Sequence, residues 1–230
     1  MSPLMSLPHS AKPADSVPLR YGALVHPGFQ ALDLFGPLDA LNMLALYYPL
    51  ELVILAETLE PVSTIPPSKP DGNPTTFGQS IVPTHTFVNA PPIDVLIVPG
   101  GVGNRIPENI AAAISFVAKV YPTLKYLITV CTGSVLVSQA GVLDGRRATS
   151  NKYVFSETQI RPQVNWVPHA RWVVDGNIWT SSGVSAGIDV IFAFMAEKYG
   201  EEVADTISDV LEYERHKDAD WDPYAEKFGL

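Results

Sequence analysis

The sequence predicts an α/β fold built on a mostly parallel sheet with helices on both faces. Three observations carry that reading. Short apolar runs alternate with stretches of helical spacing from Tyr21 onward, two of the runs end directly in turns of small residues, and no repeat period interrupts the alternation. Alternating strands and helices imply right-handed crossovers and place ligands beyond the carboxyl ends of the strands. With 230 residues, 47% of them hydrophobic, the chain has material for one sizeable core and is expected to form one domain.

Residues 1–18 are rich in Pro and Ser and show no periodicity, which predicts a flexible arm that does not contribute to the fold. YGALVHPG, from Tyr21, is a short apolar run closed by Pro27-Gly28 and reads as a buried strand. FQALDLFGPLDALNMLALYY then repeats apolar residues at helical spacing. ELVILAE at 51–57 makes a second strand. Residues 58–92 carry Pro66, Pro67, Pro70 and Pro74 around the turn signal Asp71-Gly72, which predicts a surface excursion with one short hairpin. IDVLIVPGG is a strand running into two glycines, a helix follows over about 108–120, and YLITV is a further buried strand ending at Val130. TGSVLVSQAG reads as a helix closed at Gly141, and GRRATS, VNWVP, ARWVVDG and NIWTSSG as shorter strands joined by turns. SAGIDVIFAFMAEKYG and EEVADTISDVLEYE supply two closing helices. The predicted domain therefore runs over 19–213, and 214–230 form a carboxyl-terminal tail.

A formal net charge of −9 opposes attraction to phosphate backbones, so no nucleic-acid partner is expected. The amino end lacks a basic n-region and an unbroken apolar stretch, and nowhere do about 18 apolar residues run together. Neither a membrane span nor a secretory signal is expected, and a cytoplasmic location is. The single cysteine permits no intrachain disulfide and no cysteine-rich zinc site. Of the five histidines, His9 falls in the arm, His85 in the excursion and His216 in the tail, with only His26 and His169 near predicted strand ends. None forms a spaced metal pair, and no metal is expected.

The strongest chemical signal is VCTGS, where an apolar strand feeds into a helix through a turn of small residues and lifts Cys131 out over the sheet edge. The free N–H groups of the following helix are expected to favour the thiolate and lower the Cys131 pKa. The competing reading is a buried structural cysteine. Gly100 and Gly101 of PGG end the neighbouring strand, and the Gly101 amide with that of Thr132 is a candidate oxyanion hole over the sulfur; alone, Pro-Gly-Gly is also an ordinary turn. Asp33, flanked by Ala31, Leu32, Leu34 and Phe35 at the first crossover, is expected to have a raised pKa and to act as a general acid and base, unless it only complements the helix dipole. Asp39 is expected to face solvent. TSSGVSAG lacks the lysine and spacing of a phosphate loop and serves better as the start of the helix containing Asp189.

HPGFQALDLFGPLDAL, DVLIVPGG, VCTGSVLVSQAGVLDGRRATS, and TSSGVSAGIDV followed by AEKYGEE together resemble the DJ-one/ThiJ/PfpI superfamily over about residues 20–213, and within it the isonitrile (isocyanide) hydratases. The resemblance implies a flavodoxin-like three-layer sandwich related to class I glutamine amidotransferases, usually a homodimer, with no metal or organic cofactor. Carried over, the family's nucleophile falls on Cys131, the hydratase carboxylate on Asp33 and the threonine after the cysteine on Thr132. After RRAT, similar proteins often read Thr-His; here the chain has Ser150-Asn151, which weakens a Cys-His dyad. The resemblance thus implies a cysteine-dependent lyase that hydrates a small isonitrile to an N-substituted formamide. A glyoxalase-like enzyme acting on small reactive carbonyls and a non-catalytic cysteine redox sensor are the alternatives. Related domains also occur fused to DNA-binding helices in transcription regulators, but only a short segment follows Tyr213 here.

Overall fold

A computed structural model describes residues 8, 10–65 and 75–230, and the prolines at 66, 67, 70 and 74, the Asp71-Gly72 turn and His9 lie outside them. In chain order the strands are β1 (Arg20–Leu24), β2 (Glu51–Ala56), β3 (Val62–Ser63), β4 (Ser80–Ile81), β5 (His85–Thr86), β6 (Val95–Val98), β7 (Tyr126–Thr129), β8 (Arg147–Ala148), β9 (Asn165–Trp166), β10 (Trp172–Asp175) and β11 (Ile178–Ser181). The α-helices are α1 (Ala31–Leu44), α2 (Pro107–Val120), α3 (Gly133–Gln139), α4 (Ala186–Tyr199), α5 (Glu201–Val210) and α6 (Pro223–Lys227).

The main sheet runs β10-β11-β7-β6-β1-β2-β5 and is parallel except for the β10–β11 hairpin. Strand register alternates the side chains between two apolar layers, as a pleat with period two requires. Tyr21, Ala23, Val95, Ile97 and Ile128 face the layer holding Leu34 of α1, Phe192 of α4 and Ile207 of α5. Leu24, Leu96, Val98 and Leu127 face the other, with Ile110 and Phe116 of α2 and Leu136 of α3. The result is a flavodoxin-like three-layer sandwich. Its strand order reverses between β1 and β6, so the loops leaving those two strands part there and open a crevice at their carboxyl ends.

Two segments depart from expectation. The excursion holds an antiparallel pair, with Val62 opposite Ile81, but it also gives β5 to the main sheet, where Thr84 Oγ1 accepts from Ile54 N at 2.9 Å. The described part of the amino-terminal arm is packed rather than apart. Val17 is buried, Lys12 N donates to Tyr199 O at 3.1 Å and Tyr48 Oη donates to Lys12 O at 2.9 Å. Proline-rich composition removes regular backbone hydrogen bonds but leaves carbonyls and apolar side chains able to dock. The carboxyl-terminal segment is also pinned: Arg171 N donates to Ala219 O at 2.7 Å, and Ala225 is fully buried. No described helix is long and apolar enough to cross a membrane.

Candidate active site

Cys131 follows β7 directly and holds φ at 60°, a left-handed conformation unusual for a residue with a Cβ. Such strain costs roughly 1–3 kcal/mol and persists only where neighbours over-determine it. Here the Cys131 N–H donates to Ser182 O at 2.9 Å, while its carbonyl accepts from Ser134 Oγ at 3.1 Å and Ser150 Oγ at 3.2 Å. The turn expected from VCTGS is present, and it delivers the sulfur to the crevice at the strand-order reversal.

Asp33 enters the same place from the first turn of α1. It is fully buried, its Oδ2 accepts from Gly100 N at 3.0 Å, and its carboxyl lies against the Cys131 thiol. Burial pushes its pKa up to about 7, against smaller lowering contributions from the Gly100 N–H and the thiol. The raised value expected from its apolar neighbours is what the surroundings produce, so near neutrality this carboxyl holds its proton about half the time.

The thiol behaves opposite to expectation. Its pKa is pushed up to about 12, first by burial and then by the Asp33 charge, and the Asn151 amide and the Thr132 N–H offset only part of this. The N-terminus of the seven-residue α3 does favour a thiolate, but Cys131 is buried, at 6% exposure, and its thiol faces a carboxyl group. At neutral pH the pair therefore rests as a thiol beside a titrating acid.

The two glycines serve a different purpose from the one expected. A Cβ on Gly100 would lie 2.6 Å from Thr132 N, and Gly101, at φ 141°, would place one 2.4 Å from Gly28 O. The missing side chains let the β6 loop press against the elbow itself. The Gly101 amide is occupied by Thr132 Oγ1 at 3.1 Å and the Gly100 amide by Asp33, so of the expected pair of amides, Gly101 and Thr132, the Thr132 N–H alone faces the sulfur. Thr132, 4% exposed, ties the two loops together, since Asn104 Nδ2 also donates to its Oγ1 at 3.2 Å and to its backbone carbonyl at 2.9 Å.

Asn151 is the group that no motif announces. Its Nδ2 donates to Cys131 Sγ at 3.2 Å, and its Oδ1 accepts from Tyr153 N at 2.9 Å, which fixes the amide with its donor toward sulfur. The signal was positional: Asn151 stands where similar proteins often carry the histidine. Among the described residues no imidazole bonds the sulfur. His26 is buried, with its pKa lowered by that burial, and its Nδ1 contacts Pro27 O at 3.2 Å; His169 Nε2 meets Leu230 O at 2.7 Å. Asp39 is exposed, whereas Asp189, in the first turn of the helix that TSSGVSAG was expected to start, is buried and takes Arg171 Nε at 2.6 Å. No described group of three or more His, Cys, Asp or Glu side chains is placed to hold a metal.

Beyond Asn151 and Ser182 opens a cavity of about 260 Å³ whose outer wall includes Tyr153, Tyr224 and Phe228. The buried pair Lys152–Asp222, 3.5 Å apart, joins this wall to the segment after Ser150, and Lys152 Nζ also donates to Thr149 Oγ1 at 2.6 Å. Burial lowers the Lys152 pKa to about 8, against the raising effect of Asp222.

The DJ-1/PfpI family model matches residues 23–197. The chain belongs to the DJ-1/PfpI family. Among its DJ-1/PfpI relatives, an isonitrile hydratase from Pseudomonas putida is 32% identical over 196 residues, covering 85% of this chain and 78% of that one. The deglycase PH1704 from Pyrococcus horikoshii is 37% identical over 125 residues, covering 52% of this chain and 70% of its own. A crystal structure of a ThiJ/PfpI family protein from Pseudomonas syringae superposes with a TM-score of 0.69 at 28% identity, covering 92% of this chain and 83% of that chain.

Proposed function

We propose that this protein hydrates a small isonitrile to an N-substituted formamide, with Cys131 as nucleophile and Asp33 as the proton carrier. The observation that carries the reading is the buried contact between the Cys131 thiol and a carboxyl group titrating near neutrality, with an amide rather than an imidazole on the sulfur. A carboxylate poised near pH 7 can both take and return a proton, as general acid–base catalysis at neutral pH requires.

In the proposed sequence, ionised Asp33 takes the thiol proton as Sγ attacks the terminal carbon of the isonitrile. Asp33 then gives that proton to the same carbon, leaving a thioimidate on Cys131. The carboxylate next removes a proton from an attacking water as the carbon–oxygen bond forms, and passes that proton to the nitrogen. Collapse breaks the carbon–sulfur bond as the hydroxyl proton moves through Asp33 to the sulfur, releasing the N-substituted formamide and restoring both the thiol and the ionised carboxylate. Taken over both halves, one isonitrile and one water give one formamide. Gly100 orients Asp33, and Thr132, held by Gly101 and Asn104, positions the elbow amide toward the sulfur.

The 32% identity to an isonitrile hydratase over most of both chains supports the reading. A deglycase or glyoxalase-like dyad finds no imidazole at the thiol among the described residues. A redox-sensing role suits an exposed, acidic thiol better than one that is buried with a raised pKa. Purified protein mixed with phenyl isonitrile is expected to release N-phenylformamide, and Cys131→Ala to lower the rate by about 10³-fold or more. Equal inertness of wild type and variant toward methyl and phenyl isonitrile would remove the assignment.

A further inference from the structure

We propose that the cavity behind Asn151 seats the substrate's N-substituent, and that its aromatic rim selects isonitriles bearing a flat ring over small alkyl ones. This inference rests on the hydratase reading and adds the class of substrate. Asn151 connects the two places, because its Nδ2 lies 3.2 Å from Cys131 Sγ while its side chain also lines the cavity. A linear isonitrile whose terminal carbon meets the sulfur would direct its other end along this wall.

Size and chemistry of the cavity narrow what fits. An apolar cavity of about 150 Å³ is enough for benzene; at about 260 Å³ this one has room for a single ring and a short link. Three aromatic side chains bound its mouth, with the Tyr153 and Phe228 centroids 5.4 Å apart at 68° and those of Tyr224 and Phe228 6.3 Å apart at 16°. Their exposure, 76% for Tyr153, 46% for Tyr224 and 38% for Phe228, leaves ring faces available to a flat guest. The two cations in the wall are already answered: Lys152 by Asp222, and Arg171 by Asp189 at 2.6 Å. A carboxylate or phosphate on the substrate would find no unpaired charge there.

Two of the three rim residues, Tyr224 and Phe228, lie beyond the stretch that the family model matches, which ends at 197. Tyr224 and Phe228 ride on and just after α6. That helix is held in place by the Lys152–Asp222 pair, by Asp222 Oδ1 accepting from Tyr224 N at 2.9 Å, and by the bond from Arg171 N to Ala219 O. The carboxyl-terminal segment is thus a specificity wall in this chain, built against a catalytic centre on the family framework.

The test compares kcat/KM for phenyl and methyl isonitrile in wild type, Tyr224→Ala and Phe228→Ala, alongside calorimetric binding of N-phenylformamide and N-methylformamide. Each variant is expected to lower the phenyl-to-methyl ratio about tenfold, mainly through KM for the aryl substrate, and to weaken N-phenylformamide binding by a similar factor. A ratio and an aryl-formamide affinity that stay within twofold of wild type in both variants would overturn the inference. Wild type inert toward both isonitriles would instead overturn the hydratase reading, and loss of N-phenylformamide affinity in the variants would still identify the cavity as an aryl site.

Discussion

Two buried aspartates at opposite ends of the parallel strands show how one side chain serves two purposes. Asp94 precedes β6 at the amino end of the sheet, and Asp33 lies beyond the carboxyl end. Both are almost fully buried, at 4% and 0% exposure. Burial alone would raise the pKa of each. Around Asp94 it is outweighed: Leu19 N and Arg20 N donate to Oδ2 at 3.2 and 3.1 Å, and Oδ1 takes the Arg20 guanidinium at 2.9 Å and Lys125 Nζ at 3.3 Å. Those donors hold its carboxyl well below the ordinary range. Asp33 has one backbone donor, Gly100, and a thiol, so burial prevails and its proton is available near pH 7. The difference teaches that the amino end of the sheet is braced by a fixed charge, while the carboxyl end holds a carboxyl group with too few donors to keep it ionised through neutrality.

Exchanging the aspartates one at a time separates these purposes. Asp33→Asn keeps an oxygen for the Gly100 amide but cannot carry a proton, and is expected to lower kcat for isonitrile hydration by about 10²–10³-fold. The same variant is expected to be the more stable protein at alkaline pH. Folded Asp33 binds its proton more tightly than it does unfolded. Wild type therefore loses stability as pH climbs from the ordinary carboxylate value of 3.8 through about 7, and Asn removes a loss of about 4 kcal/mol by pH 8. Denaturant melts of both proteins at pH 5 and pH 8 check the sign; a gap that narrows with rising pH would contradict it.

Asp94→Asn should give the reverse pattern, with about 1–2 kcal/mol lost at neutral pH and kcat within twofold of wild type. Its folded pKa is depressed, so the wild-type advantage is present above 3.8 and fades as pH falls toward the lower folded value. A large fall in kcat with Asp94→Asn would show that the two ends are coupled. A smaller loss of rate than that of Asp33→Asn is expected at Asn151. Asn151→Ala removes a donor that favours the ionised sulfur, and should lower kcat about tenfold and slow alkylation of Cys131 by iodoacetamide. Faster alkylation would mean that the side chain mainly shields the thiol.

Which parts of this arrangement could be read in the chain follows from which are local. Periodicity and turn residues placed β1, β6, β7, α1 and α4, because each is set by a contiguous run. VCTGS and ALDLFGP pointed to Cys131 and Asp33 for the same reason, and apolar neighbours gave the direction of the Asp33 shift. What the chain could not show were consequences of contact between distant segments. The thiol was expected to be acidic from its own helix, whereas its burial and Asp33, 98 residues earlier, raise it. Gly100 and Gly101 suggested amides open to a ligand; the loop instead closes on Asp33 and Thr132. The packing of residues 10–18, the β5 edge strand and the Lys152–Asp222 pair have no local signature, since each partner is ordinary where it stands in the sequence.

The central claim is that Asp33 gives and takes a proton near neutrality beside the sulfur of Cys131. Infrared difference spectra of wild type and Asp33→Asn across pH 4 to 9 test it most directly. A protonated-carboxyl band present only in wild type and titrating at about 7 is the predicted result; an Asp33 carboxyl already ionised at pH 5 would contradict it.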